Sequence, residues 1–244
     1  MSWESIGKVA GVLYLSPPLG SIPSNAQVQQ LGDGMQRTAV SLFAGVGGFD
    51  LALERNGVKV VASVEIDKKA SAVLAKHFPD STIFGDIQEV TGEQLIAAGF
   101  NPVGGIITGG FPCQDLSVAG KRAGLSGKRS GLFWEICRLL DETKAENFIL
   151  ENVVGLLSSN EGRDMAAVIE ALVERGYCIG WRVLDAQHFG IPQRRRRVFI
   201  VGSLGNRGGS GVAEILDLSQ GRRGYLEKVS SKSGSNSRSI ERSS

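Results

Sequence analysis

From residue 38 onward the chain alternates short apolar runs with stretches whose apolar residues recur every three or four positions. Residues 39–43 form an apolar run, 45–48 are glycine-rich, and 49–55 has helical spacing that stops before Asn56-Gly57. Further runs at 58–64, 82–84, 104–108, 147–150, 177–184 and 197–201 read as strands, and 68–78, 92–98, 132–143 and 165–172 as helices. Within the third of these helices Phe133, Ile136, Cys137 and Leu140 fall at i, i+3, i+4 and i+7, which predicts one buried face with Cys137 in it. Such alternation predicts an α/β fold: a doubly wound, mainly parallel sheet with helices on both faces. Ligands of sheets of this kind sit outside the carboxyl ends of the strands, so residues that directly follow strands are the ones to inspect for chemistry.

The flanks break the pattern. Residues 1–36 are rich in Gly, Pro, Ser and Gln and include the breaker Ser16-Pro17-Pro18-Leu19-Gly20, so a poorly ordered extension is expected, with Met35 as an alternative natural start. Residues 230–244 are nearly all Ser, Lys, Arg, Gly and Asn, which predicts a disordered tail, with 212–218 as one short amphipathic helix before it. The expected division is an extension at 1–36, a catalytic domain at 37–204 and a low-complexity basic tail at 205–244. A hydrophobic content of 42% and a charged content of 21% are ordinary for a soluble protein, and no apolar run reaches the ~18 residues of a membrane helix. Residues 9–15 are apolar but lack the flanks of a signal peptide, so a cytoplasmic protein with no membrane partner is expected.

Three cysteines without C-x-x-C spacing argue against a disulfide framework and a zinc site, so no metal is expected. Cys178 sits in a strand run and reads as packing. Residues 203–244 carry seven Lys or Arg against four Asp or Glu, an excess of three over a whole-chain charge of +2, which leaves the remainder at −1. Contact of the core with nucleic acid would therefore come from local clusters, at 121–129 and 194–197.

Several strand ends carry groups suited to chemistry. Cys113, in Gly109-Gly110-Phe111-Pro112-Cys113-Gln114-Asp115, follows a strand and precedes Lys121, Arg122, Lys128 and Arg129; a thiolate there is a candidate nucleophile. The glycine- and base-rich stretch 117–131 has the composition of a lid. Glu65 ends the second strand at about the spacing from the glycine turn at which dinucleotide folds hold ribose hydroxyls. That spacing fits NAD or S-adenosyl-L-methionine; Asp50 in place of a third glycine disfavours NAD. Asp86 ends the third strand, Glu151 the fifth, and the Arg195 and Arg197 side chains alternate onto one face.

In order, Phe43-Ala44-Gly45-Val46-Gly47-Gly48-Phe49, Glu65-Ile66-Asp67, Gly85-Asp86-Ile87, Pro112-Cys113-Gln114, Glu151-Asn152-Val153 and Gln193-Arg194-Arg195-Arg196-Arg197 resemble the DNA cytosine-5 methyltransferase family over about residues 40–202. The resemblance implies a Rossmann-like S-adenosyl-L-methionine-dependent methyltransferase core acting on double-stranded DNA. It assigns Phe43, Ala44, Gly45, Gly47, Gly48, Glu65, Ile66, Asp86, Ile87 and Pro112 to the cofactor. Cys113, Glu151, Arg195 and Arg197 take the catalytic roles: a thiolate adding to carbon 6 of a flipped cytosine, and a carboxyl group at ring nitrogen 3. A restriction-modification or phage setting follows. Members of the family continue into a target-recognition domain and returning motifs that are not found after residue 202, so a second polypeptide supplying them is one expectation. Other readings are a remnant that binds cofactor without turnover, an RNA cytosine methyltransferase, and an NAD-binding oxidoreductase.

Overall fold

The computed structural model describes residues 36–112 and 131–204. The Cys113 loop, most of the 117–131 stretch and the segments assigned as extension and tail lie outside the described residues.

The elements follow the pattern closely. Strands β1 (Thr38–Leu42), β2 (Lys59–Val64), β3 (Thr82–Phe84), β4 (Ile106–Gly110), β5 (Asn147–Val153), β6 (Tyr177–Asp185) and β7 (Arg196–Leu204) alternate with helices α1 (Gly48–Arg55), α2 (Lys68–His77), α3 (Gly92–Ala97), α4 (Leu132–Thr143) and α5 (Arg163–Glu174) until β6. The sheet runs β3-β2-β1-β4-β5-β7-β6. Neighbours from β3 to β5 are parallel, whereas β7 is antiparallel to both β5 and β6. Geometry dictates the change of direction: a parallel return needs a crossover of a dozen or more residues, and only a short connection with one 3-10 turn, Ala186–Phe189, joins β6 to β7.

Sequence order reverses between β1 and β4. The chain leaves β1 toward β2 and β3, then returns through α3 to β4 on the opposite side, and this switch opens a crevice at the carboxyl ends of the two strands.

Both faces of the sheet are covered. On one, Phe133, Ile136, Leu139 and Leu140 of α4 and Val168 and Leu172 of α5 pack on Val40, Leu42, Ile107, Phe148, Leu150 and Ile200. Burial of each side chain of this size contributes about 1.5–3 kcal/mol. Opposite, Leu53 of α1 packs on Ala39, Val60 and Ile106, and Leu74 of α2 joins Phe78, Ala44 and Ile83. Cys137 is 1% exposed, within the helix face predicted for it. Cys178 is also buried, and burial pushes its thiol up.

Three strands differ from the expectation by more than one residue at an end, β7 running on to Leu204 rather than 201. β4 begins at Ile106 rather than 104, because Gly104 takes a φ of 72° and Gly105 donates to the Pro102 carbonyl, which uses both glycines in a turn. β5 continues through Glu151 to Val153, because β7 pairs with that stretch. Among the described residues no helix is long and apolar enough to cross a membrane.

Candidate active site

The first half of the site is built from the ends of β1, β2 and β3. After Leu42 the chain turns sharply at Phe43, whose φ of 54° is unusual for a bulky side chain and marks local strain. Gly47 caps α1 with a φ of 89°, and a Cβ there would collide with the Phe78 ring, so only glycine fits. The Ala44 amide donates to the Val64 carbonyl at 3.1 Å, and the Glu65 amide to the Phe84 carbonyl at 3.0 Å, which ties the three strand ends into one rim.

Glu65 spans that rim. Its Oε2 accepts from the Gly45 amide at 2.7 Å and its Oε1 from the Asp67 amide at 2.8 Å, so the carboxylate is aimed across the mouth of the glycine turn. About two of its four lone-pair directions remain for a ligand. Ile66 beside it is 71% exposed and Val46 66%, which leaves apolar surface at the crevice. Asp67 caps α2 by accepting from the Lys69 and Ala70 amides, each at 2.8 Å.

Asp86 stands half-buried after β3 and accepts from the Gln88 amide at 3.0 Å, which starts a single 3-10 turn, Ile87–Glu89. That turn is held from behind by Arg138 of α4, which donates to the Ile87 carbonyl at 2.9 Å and pairs with Glu135 and Glu142 at 2.7 and 2.9 Å. Burial opposes the charge on Arg138, but its hydrogen bonds to the two carboxylates outweigh it and hold its pKa above the ordinary value. Burial likewise pushes Glu142 up, yet the Gly92 amide and Arg138 prevail and hold its carboxyl below the usual range. Sequence patterning missed Arg138; its signal was a cation on a helix between acids at i−3 and i+4.

The second half of the site joins β4, β5 and β7. Gly110 pairs with Glu151 in register, and a Cβ on Gly110 would stand 3.3 Å from Glu151 Oε2, so the glycine keeps the crevice open over that carboxylate. Arg197 Nε reaches Glu151 Oε1 at 2.8 Å. Register explains the pair: Val153 lies opposite Arg197, which makes Glu151 its diagonal neighbour on the same face. Asn152, 2% exposed, points to the other face and donates to the Phe111 carbonyl at 2.9 Å. It thereby fixes the backbone immediately before Pro112, which is exposed at the strand end.

Of the residues expected at the site, Phe43, Ala44, Gly45, Gly47, Gly48, Glu65, Ile66, Asp86 and Pro112 lie just beyond the carboxyl ends of β1 to β4, and Glu151 and Arg197 lie at the same edge on β5 and β7, while Ile87, 3% exposed, packs in the main core. Arg195 is exposed just ahead of β7; its amide donates to Asp185 Oδ1 at 3.2 Å. Cys113 lies outside the described residues, one position beyond Pro112. Among the described residues no group of three His, Cys, Asp or Glu is placed to hold a metal ion.

Residues 37–228 match the profile of the C-5 cytosine-specific DNA methylases. The chain belongs to this family. Among curated members, the type II methyltransferase M2.BsuMI of Bacillus subtilis (strain 168) is 40% identical over 169 residues, a match covering 68% of this chain and 41% of the relative. M.AquIA of Picosynechococcus is 35% identical over 180 residues, covering 69% of this chain and 73% of the relative. The chain thus spans about 41% of the length of relatives such as M2.BsuMI. Fold likeness agrees: a structure of a Spodoptera frugiperda DNMT2 mutant matches with a TM-score of 0.56 and 24% identity over 70% of this chain and 50% of that one. The core is a Rossmann-like methyltransferase fold.

Proposed function

We propose that this chain carries the cofactor-binding and catalytic core of an enzyme that transfers a methyl group from S-adenosyl-L-methionine to carbon 5 of cytosine in double-stranded DNA. The observation that carries the reading is the meeting, at one sheet edge, of the Glu151–Arg197 pair and the Asn152 contact that fixes the chain just before Pro112 and Cys113.

The rim residues suit the cofactor. Glu65 would accept from ribose hydroxyls with its free lone pairs, Asp86 from an adenine amino group, and Ile66 would lay its exposed side chain on the adenine ring. The turn from Phe43 to Gly48, with Ile87 and Pro112, would line the remainder. The bound cofactor supplies an electrophilic methyl group on a sulfonium.

Carbon 5 of cytosine is too weak a nucleophile to take that methyl group unaided. The Cys113 thiolate adds to carbon 6, forming a sulfur–carbon bond, while Glu151 donates a hydrogen bond or proton to nitrogen 3; electron density then collects on carbon 5. Carbon 5 would take the methyl group as the donor leaves as a neutral thioether; a base then removes the proton on carbon 5, the Cys113 sulfur–carbon 6 bond breaks, any proton on nitrogen 3 returns to Glu151, and the thiolate is regenerated. Arg197 holds the Glu151 carboxyl in place, and exposed Arg195 offers a fork to a base carbonyl or a phosphate. Because the target carbon is stacked in duplex DNA, the base must be flipped out to meet these groups.

Relatives named type II methyltransferases support a role in DNA modification, and the setting proposed with it is restriction-modification or a phage. Readout of the bases around the target cytosine is assigned to polypeptide outside the described residues, with a second protein as one source. The shared span of about 41% with M2.BsuMI favours one other reading, a core that binds cofactor without turnover by itself. An oligonucleotide carrying 5-fluorocytosine, incubated with the full chain and S-adenosyl-L-methionine, separates the two. A covalent adduct lost in Cys113→Ala supports catalysis, and binding without any adduct supports the second reading.

A further inference from the structure

The most unusual side chain beneath the crevice is Asp50. It sits in the first turn of α1, is 0% exposed, and among the described residues has no Lys, Arg or His within ion-pair distance. Its partners are two serine hydroxyls: Ser41 Oγ donates to Oδ2 at 2.8 Å and Ser63 Oγ to Oδ1 at 2.7 Å. Ser63 Oγ also lies 3.1 Å from Ser81 Oγ, which carries the polar chain on toward β3. Burying a carboxylate is costly, and an apolar side chain could join a helix to a sheet at less expense. The positions of the two serines give the carboxylate a purpose.

Ser41 of β1 and Ser63 of β2 face each other in the strand register. One step earlier the pairing is irregular: Ala39 pairs with Val60 but Val40 with Ala62, so β2 carries an extra residue there. Beyond such a bulge two registers compete, and a slip of one residue turns every following side chain to the other face of the sheet. Two residues beyond Ser63, just past the end of β2, is Glu65; two beyond Ser41, just past the end of β1, is Phe43, which opens the glycine turn. Hydrophobic packing does little to choose between registers here, because the residues around Ser63 are Ala62 and Val64, both apolar and both buried. Hydrogen bonds do choose, because they are directional and only the observed pairing brings both hydroxyls to one carboxylate. The amino end of α1 adds a favourable dipole for the charge.

We propose that Asp50 is a positioning residue: by clamping the Ser41 and Ser63 hydroxyls it fixes the register of β1 against β2 after the bulge, and so aims Glu65 across the glycine turn at the ribose of the cofactor. The inference rests on the cofactor reading above. It assigns Asp50 no contact with the ligand.

The test is calorimetric titration of the full chain with S-adenosylhomocysteine at 10 °C, alongside thermal midpoints for each variant. Asp50→Ala should bind about tenfold or more weakly, the loss expected when buried polar groups are left without partners. Asp50→Asn, whose carboxamide can accept from one serine and donate to the other, should recover affinity to within about threefold of the parent. Leu172→Ala, on the buried face of α5 and away from the crevice, should lower the midpoint at least as much as Asp50→Ala and leave affinity within about twofold, since a core cavity acts on folding. Should Asp50→Ala fail to fold, Ser63→Ala, which removes one donor, is expected to weaken binding in its place. Parent-like affinity in a folded Asp50→Ala or Ser63→Ala overturns the proposal while the cofactor reading stands. Failure of the parent chain to bind S-adenosylhomocysteine overturns the cofactor reading and this inference with it.

Discussion

The two halves of the crevice are held together differently. On the β1–β3 side the carboxylates of Glu65, Asp67 and Asp86 accept from backbone amides no more than 20 residues away in sequence. On the β4–β5–β7 side the decisive contacts join residues 41 and 46 positions apart, Asn152 to Phe111 and Arg197 to Glu151. A site wired to its own backbone is shaped as soon as the local strands form. One assembled from side chains on three strands exists only when the whole sheet is closed. Cofactor binding and catalysis should therefore be separable by mutation, and the predictions below test how cleanly.

The largest separation is expected from Cys113→Ala, which should lower methyl transfer and 5-fluorocytosine trapping at least about a thousandfold, as loss of a covalent nucleophile does. Affinity for S-adenosylhomocysteine should stay within about twofold. Radiolabelled methyl transfer and calorimetry on one preparation decide it; equal losses in both would mean the halves are a single unit.

From the other side, Glu65→Ala removes the acceptor of the Gly45 and Asp67 amides together with the lone pairs that the proposed reading gives to the ribose. Charge-assisted bonds of this kind contribute about 1.5–3 kcal/mol each, so S-adenosylhomocysteine affinity should fall about a hundredfold. The check is whether trapping at saturating S-adenosyl-L-methionine recovers to within a few-fold; if it does not, Glu65 also serves the catalytic half.

A smaller effect is expected for Asn152→Ala. The buried Phe111 carbonyl loses its partner, so stability should drop by about 1–3 kcal/mol and the trapping rate by about tenfold, with cofactor affinity unchanged. Urea unfolding and adduct kinetics measure the two effects separately.

The smallest effect concerns Glu142. Its folded pKa is depressed, so its contribution to stability is present above the unfolded carboxyl value near 4.5 and is lost as pH falls through the lower folded value. The pair is partly exposed, which limits that contribution to under about 1 kcal/mol. Thermal midpoints of Glu142→Gln should accordingly change less between pH 6 and pH 3 than those of the parent chain, and an unchanged difference would show that the Gly92 amide and Arg138 do not depend on the charge.

Local periodicity was enough for most of the fold. The i, i+3, i+4, i+7 spacing of Phe133, Ile136, Cys137 and Leu140 described the buried face of α4, and the apolar run at 82–84 matched β3 residue for residue. What periodicity cannot express is direction and partnership across the sheet. The antiparallel insertion of β7, the extension of β5 through Glu151, and the bulge that pairs Ala39 with Val60 but Val40 with Ala62 arise from contacts between distant segments. At the site, the strand-end carboxylates were legible because a charge after an apolar run needs an explanation. Asp50 was legible only as a missing glycine; its burial against Ser41 and Ser63 depends on a register that no single segment encodes.

The place of β7 also orders events during synthesis. β5 lies between β4, made before it, and β7, made after β6, so its second edge stays open until Arg197 leaves the ribosome. At roughly 10 residues per second, the interval between Glu151 and Arg197 lasts about five seconds, and for that time an apolar strand such as Phe148-Ile149-Leu150 presents unpaired backbone to any passing chain. The ends of β1, β2 and β3 have no such wait. A nascent chain can thus complete the rim around Glu65 while Glu151 still lacks Arg197, so chaperone protection is expected to matter most in the seconds before β7 arrives.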